Sequence, residues 1–276
     1  MPNPSVAQRR ADFRRLHDSG CFLLPNPWDV GSAKYLASVG FKALATTSAG
    51  AAFATGRSDY GLTADYVIDH VRTIVDATAL PVNADFENGL AADEKGLAEN
   101  VRRCVETGVA ALSIEDSTGD RQKPLYDFDV AVSRFKVARA AVDAVDRNAF
   151  LVARSECFLH GHPEALKESI KRLTAFAEAG ADCLYAPGLR KREDIEAVVK
   201  AVAPKPVNLL VGWPIGFTLD EIAKMGVRRV SVGGALALAA WGGFMRAVKG
   251  LQEGRFDMFA DNAPGRDLNA LFAEKR

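Results

Sequence analysis

The chain is predicted to fold as an α/β protein of the (β/α)8 TIM-barrel type, eight parallel strands each followed by a helix. Three observations carry that expectation. Eight short apolar runs are spaced through the sequence, each ending in polar, glycine-rich or acidic residues. Helical patterns lie between them. Four of those helices close alike, at Val39-Gly40-Phe41, Thr107-Gly108-Val109, Ala179-Gly180-Ala181 and Met225-Gly226-Val227. Glycine there takes the left-handed conformation that turns the chain into the next strand. An open doubly wound sheet is the alternative, but no GxGxxG follows the first strand.

A first helix falls within residues 1–20, with Arg9 and Arg10 on its polar face and Val6, Phe13 and Leu16 on the other. Strands are predicted at residues 21–24, 43–46, 82–85, 111–115, 150–154, 183–186, 207–211 and 230–232. Helices are predicted at 32–39, 64–77, 96–107, 131–145, 164–179, 191–203, 219–225 and 235–249, one after each strand. Thr63 is the expected N-cap of the second of these. A further helical piece at 267–274 lies in the tail, 257–276, to pack on the barrel or on a partner subunit. No low-complexity or Pro/Ser-rich linker interrupts the chain, so one domain spanning 1–276 is expected.

Bulk properties agree. A length of 276 residues suits a single α/β barrel, and 48% hydrophobic content supplies a large core. Lys+Arg and Asp+Glu both number 35, so the net charge is zero and no broad basic surface for nucleic acid is expected. Cys21, Cys104, Cys157 and Cys183 are scattered, with no CxxC pair, as in a reduced cytoplasmic protein. The N-terminus has no apolar run of signal-peptide type, and the longest apolar candidate, 230–240, is too short to span a membrane. No membrane partner is expected.

In a barrel of this kind the chemistry sits at the C-terminal ends of the strands. That rule selects Thr46, Thr47 and Ser48; Asp85 and Glu87; Glu115 and Asp116; Arg154, Ser155 and Glu156; Tyr185; Asn208; Gly233 and Gly234. Side chains alternate along a strand, so Asp85 and Glu87 are expected to point the same way, and Glu115 joins them if the strands are neighbours. Three converging carboxylates repel unless a hard cation sits between them, so a divalent-metal site is the leading expectation. A guanidinium at the end of an apolar strand needs an acid or an anionic ligand, and Glu156 is the candidate partner of Arg154. Tyr185 is a candidate proton donor and Asn208 a hydrogen-bonding group for substrate. Ser231-Val232-Gly233-Gly234, leading into a helix N-terminus, is kept as a secondary phosphate site.

Motifs on successive strands carry a resemblance. Leu24-Pro25-Asn26-Pro27-Trp28-Asp29-Val30-Gly31-Ser32-Ala33, Thr46-Thr47-Ser48-Ala49-Gly50, Gly56-Arg57-Ser58-Asp59, Asp85-Phe86-Glu87-Asn88-Gly89 and Ser113-Ile114-Glu115-Asp116 occur in that order. Together they resemble the isocitrate lyase/phosphoenolpyruvate mutase superfamily. The resemblance implies an enzyme dependent on Mg²⁺, with Mn²⁺ as an alternative, that stabilises an enolate while a C–C or C–P bond breaks or forms. It implies that Asp85, Glu87 and Glu115 hold the metal and that Asp59 joins its water network. It further implies that Thr47, Ser48 and Ala49 hold the substrate carboxylate and that Arg154 grips substrate oxygens. The lyases of this family carry Lys-Lys-Cys-Gly-His in a mobile loop after the fourth strand. Here the loop is Ser117-Thr118-Gly119-Asp120-Arg121-Gln122-Lys123-Pro124-Leu125-Tyr126, without cysteine or histidine. The isocitrate and methylisocitrate lyase reactions are therefore not expected. Nor does the loop hold the asparagine that handles the phosphoryl group in the mutases.

The expected function is a metal-dependent carbon–carbon lyase or decarboxylase acting on a small 2-oxo or 2-hydroxy (di)acid. A phosphonomutase-type isomerase is the alternative, and a non-catalytic oxo-acid-binding barrel the second alternative. The partner is a small organic acid. A homo-oligomer, dimer or tetramer, is expected, with the last barrel helix exchanged between subunits as the resemblance implies.

Overall fold

The computed structural model describes residues 4–273. The chain begins with α1 (Val6–Arg15), β1 (Phe22–Leu24), α2 (Val30–Ser38), β2 (Leu44–Ala45), α3 (Ser48–Ala54) and α4 (Ala64–Asp76). It continues with β3 (Val82–Asp85), α5 (Glu94–Glu106), β4 (Ala111–Glu115), α6 (Phe128–Asp146), β5 (Phe150–Arg154) and α7 (Ala165–Glu178). The last third holds β6 (Cys183–Tyr185), α8 (Arg192–Val202), β7 (Val207–Leu210), α9 (Leu219–Lys224), β8 (Arg229–Ser231), α10 (Ala235–Gln252), a 3-10 turn at Asp257–Asp261 and α11 (Gly265–Phe272).

The strands form one parallel sheet in the order β1-β8-β7-β6-β5-β4-β3-β2. Its seam is tied where Ala45 N donates to Pro25 O at 3.0 Å and Asn26 Nδ2 donates to Thr46 O at 2.9 Å. This is the (β/α)8 barrel that the repeating pattern predicts. The recurring glycines turn the chain as expected: Gly40, Gly108, Gly180 and Gly226 have φ of 93°, 88°, 100° and 89°. Thr63 caps α4 by accepting from Tyr66 N. One helix, α3, was not foreseen. Its sequence, Ser-Ala-Gly-Ala-Ala-Phe-Ala, is short and lacks an amphipathic period, and Thr47 caps it by accepting from Gly50 N. The tail helix ends at Phe272 and packs on α2; Glu274, its expected end, lies outside the described residues.

The main core lies between strands and helices, where Leu97, Leu112, Leu151, Leu173, Leu184 and Leu189 are fully buried. A second cluster fills the barrel itself and includes Phe13, Ala45, Ala111, Phe150 and Val152. Helix α1 closes the bottom. Phe13 meets Phe150 edge to face at 5.5 Å, and the His17 ring stacks on Phe150 at 4.4 Å. Arg10 anchors the plug by donating to Val109 O and Val105 O, each at 3.0 Å, and by pairing with Asp146. Above this apolar floor the interior turns polar, with Asn83, Ser113, Asn208, Arg229 and Ser231 all buried. A TIM-barrel interior is normally filled by branched apolar side chains. Here the small side chain of Ala45 borders open space.

Helix α10 stands apart. It buries only Ala237 and Gly250, while Leu238, Trp241, Phe244 and Met245 are exposed. Among the described residues, no helix is long and apolar enough to cross a membrane.

Candidate active site

The strands β3, β4 and β5 end side by side, with Asp85 in register with Ser113 and Glu115 with Arg154. Arg154 is the hub. Its Nη1 lies 2.6 Å from Asp85 Oδ1, its Nη2 3.0 Å from Glu115 Oε2 and its Nε 3.0 Å from Glu156 Oε1. The Tyr185 ring lies beneath, 5.1 Å from the guanidinium carbon. The pairing with Glu156 expected from sequence is present, and two more acids share the same cation. Asp85 is fixed from the other side: its Oδ2 accepts from Ser48 N and Ser48 Oγ, both at 2.9 Å. Its main-chain N donates to Thr46 Oγ1 at 2.8 Å.

Glu87 reaches the cluster by a different route from the one expected. The strand ends at Asp85, so alternation along β3 does not place Glu87. Glu87 instead takes a left-handed φ of 46°, and Gly89 follows with 85°. Glu115 N donates to Glu87 O at 3.0 Å, which sets this turn against β4. The side chain is buried and its Oε1 has no hydrogen-bond partner. Burial, and then the charges of Asp85, Glu115 and Asp59, push its carboxyl up to about 8. Burial also raises Glu115 and Glu156, and burial with the Asp85 charge raises Asp59. Tyr60, a left-handed residue not foreseen from sequence, donates its hydroxyl to Glu115.

The mouth thus holds five carboxylates, Asp59, Asp85, Glu87, Glu115 and Glu156, around the Arg154 guanidinium. Among the described residues, no three His, Cys, Asp or Glu side chains are gathered closely enough to clasp an ion as they stand. Arg154 spreads Asp85, Glu115 and Glu156 around its own edges. The orphaned Glu87 oxygen and the raised carboxyls nevertheless mark an unmet demand for positive charge. The available donors are hard oxygens, the set that Mg²⁺ takes.

A cavity of about 170 Å³ opens at this mouth and is walled by Thr47, Ser48, Ala49, Asp59, Asp85, Arg154 and Tyr185. Glu87, Glu115 and Glu156 stand behind that wall. Asn208 is also withdrawn: its amide nitrogen donates to Ser231 Oγ at 3.0 Å and its amide oxygen accepts from Arg229 Nε at 2.8 Å. Asp116 faces away and serves the scaffold, accepting from Glu156 N at 2.8 Å and Arg172 Nη1 at 3.1 Å. Gly233 and Gly234 line the cavity, and Asn26 Oδ1 accepts from Gly233 N at 2.9 Å. The loop after β4 folds on itself through Thr118 N to Pro124 O at 2.9 Å. Sequence reasoning missed Arg229, Asn26 and Tyr60. The signal for Arg229 was a charge inside the run Arg229-Val230-Ser231-Val232, which was read as starting one residue later.

Comparison with known proteins follows this geometry. The family model described as phosphoenolpyruvate phosphomutase matches residues 13–252. A solved structure from Burkholderia cenocepacia J2315, described only as a lyase/mutase, superposes with a TM-score of 0.94 at 45% identity and covers 98% of each chain. The oxaloacetate decarboxylase of Pseudomonas putida (strain GB-1) is 29% identical over 253 residues, 87% of this chain and 83% of its own. The 2-methylisocitrate lyase of Escherichia coli (strain K12) is 32% identical over 194 residues, 66% of this chain and 64% of its own.

Proposed function

Because this chain belongs to the phosphoenolpyruvate phosphomutase family, within the isocitrate lyase/phosphoenolpyruvate mutase superfamily, we propose that it is a metal-dependent carbon–carbon lyase or decarboxylase of a small 2-oxo or 2-hydroxy acid. The observation that carries this reading is the excess of carboxylate over cation at the mouth, with the Glu87 oxygen left unpartnered. Asp85, Glu87 and Glu115 would hold Mg²⁺, or Mn²⁺, in part through water, and the ion would supply Lewis-acid stabilisation of charge developing on an enolate oxygen.

The chain's own groups divide the remaining work. Thr47, Ser48 and Ala49, at the start of α3, face the cavity and take the substrate carboxylate. Arg154 is held rigid by three acids, so its charge stays fixed beside the reacting carbons and needs no reorganisation. Glu156 positions Arg154 rather than touching substrate. Burial pushes the Tyr185 phenol up to about 12, so it stays protonated at neutral pH and can return a proton to the enolate carbon from Oη. Asp59 lines the cavity and would join the water around the ion.

We further propose that the open apolar face of α10 joins copies of this chain into a homo-oligomer.

A turnover screen of small 2-oxo and 2-hydroxy acids with Mg²⁺ and Mn²⁺ tests the reading, with a chelator as control. Chelator-sensitive C–C cleavage is expected. Phosphorus NMR with phosphonopyruvate tests the mutase alternative. Binding of an oxo acid without its consumption would refute the lyase assignment.

A further inference from the structure

The cavity is walled by two arginines in opposite states. Arg154, at the mouth, is occupied by three carboxylates. Arg229, at the floor, meets none among the described residues. It is 2% exposed, donates from Nε to Asn208 Oδ1 at 2.8 Å and from Nη1 to Asn83 Oδ1 at a long 3.4 Å. Among the described residues, its Nη2 makes no hydrogen bond. Three other buried arginines are satisfied differently. Arg10 and Arg172 pair with acids, and Arg134 donates to the carbonyls of Asn88, Ala91 and Ala92. The side chains nearest Arg229 include Cys183, Tyr185 and His17, none of them anionic at neutral pH. A buried guanidinium with no counter-charge is costly, and an anion brought to it is held strongly.

We propose that Arg229 forms a carboxylate-binding subsite at the floor of the cavity, so that the site takes linear dicarboxylates end-on. Asn83 lies two residues below Asp85 on β3, about 6.6 Å at ordinary strand rise. That is close to the end-to-end span of a four-carbon dicarboxylate. Arg229 lines the same 170 Å³ cavity as Asp85, Arg154 and Thr47. Asn208 and Asn83 position the guanidinium through neutral amide oxygens, which orient it without cancelling its charge. The inference deepens the proposed function, since it assigns the substrate class, but its test reads binding and not turnover.

Calorimetry on the full chain, with and without Mg²⁺, would compare the four-carbon dicarboxylates succinate and fumarate with the monoacids pyruvate and butyrate. Wild type should prefer the dicarboxylates by about tenfold, the size of one hydrogen-bonded charge contact. Arg229→Met should erase that preference and leave monoacid affinity unchanged, and Arg229→Lys should restore part of it. A wild-type crystal soaked in bromide should show an anomalous peak beside Arg229, a readout independent of how any variant folds. Equal loss for mono- and dicarboxylates in a folded Arg229→Met, or no bromide at Arg229, would overturn the subsite. Dicarboxylate preference with no turnover of any acid would instead overturn the lyase reading and leave the subsite standing.

Discussion

Replacing His17 with asparagine should flatten the acid limb of the stability curve. The imidazole lies under the barrel interior with Nδ1 2.8 Å from Phe13 O, its ring on Phe150, and Nε2 buried without a partner. Burial first, and then the positive charges of Arg229, Arg14 and Arg228, hold its pKa down to about 3 against an ordinary 6.5. Between those two values the unfolded chain binds a proton that the folded protein refuses, so stability falls as pH falls. Relative to neutral pH, the two values give a loss of about 2 kcal/mol near pH 5 and about 3 kcal/mol near pH 4. Asparagine keeps an N–H for the Phe13 carbonyl, cannot titrate, and gives up the stacking, a cost of about 1 kcal/mol at neutral pH. Urea unfolding of both proteins from about pH 7.5 down to about pH 5 isolates the effect, because every other titrating group is common to both. The difference between them should change by about 2 kcal/mol on acidification and reverse, leaving the asparagine variant the more stable by about pH 5. Parallel profiles, with a constant gap, would refute the assignment of a neutral buried imidazole.

Three further outcomes are expected. Asp85→Asn should stay folded, since Arg154 keeps Glu115 and Glu156. Its Mg²⁺ affinity should fall by more than the ~10–100-fold typical of a lost outer-shell contact, read as loss of the Mg²⁺-induced rise in Tm. Gly89→Ala should cost about 2–3 kcal/mol in urea unfolding, because a Cβ there falls 2.0 Å from Leu97 Cδ1 at a φ of 85°. Paired substitution of Trp241 and Phe244 by serine should lower the mass seen in analytical ultracentrifugation. An unchanged sedimentation coefficient would place the subunit interface elsewhere.

The fold was legible because its signals are local and repeated. Strands β3, β4 and β5 were located to the residue, since each is an apolar run closed by a charge that the barrel places at its mouth. The acids of the site were legible for the same reason. What escaped depends on non-local geometry. Glu87 reaches the cluster through a left-handed turn, which a period of two does not describe. The Tyr60 hydroxyl reaches Glu115 across 55 positions of sequence. Arg229 stands one residue before the run predicted as the eighth strand, and only the closed sheet turns it inward. Arg154 was expected to pair with Glu156 and to grip substrate, and only the assembled mouth adds Asp85 and Glu115 to its partners.

The plug formed by α1 also bears on the order in which the chain acquires its structure. Arg9 donates to Val75 O, Arg10 to Val105 O and Val109 O, and Arg14 to Asp182 Oδ1, across 66, 95, 99 and 168 positions. This segment therefore has its docking site built from segments that emerge from the ribosome much later than it does. Loop closures of that length must be completed before its contacts reward them. Until residue 182 has been synthesised, the Phe13 and His17 rings have no complete barrel floor to cover. Until then α1 is exposed surface for a chaperone to guard, and the barrel's lower end stays open.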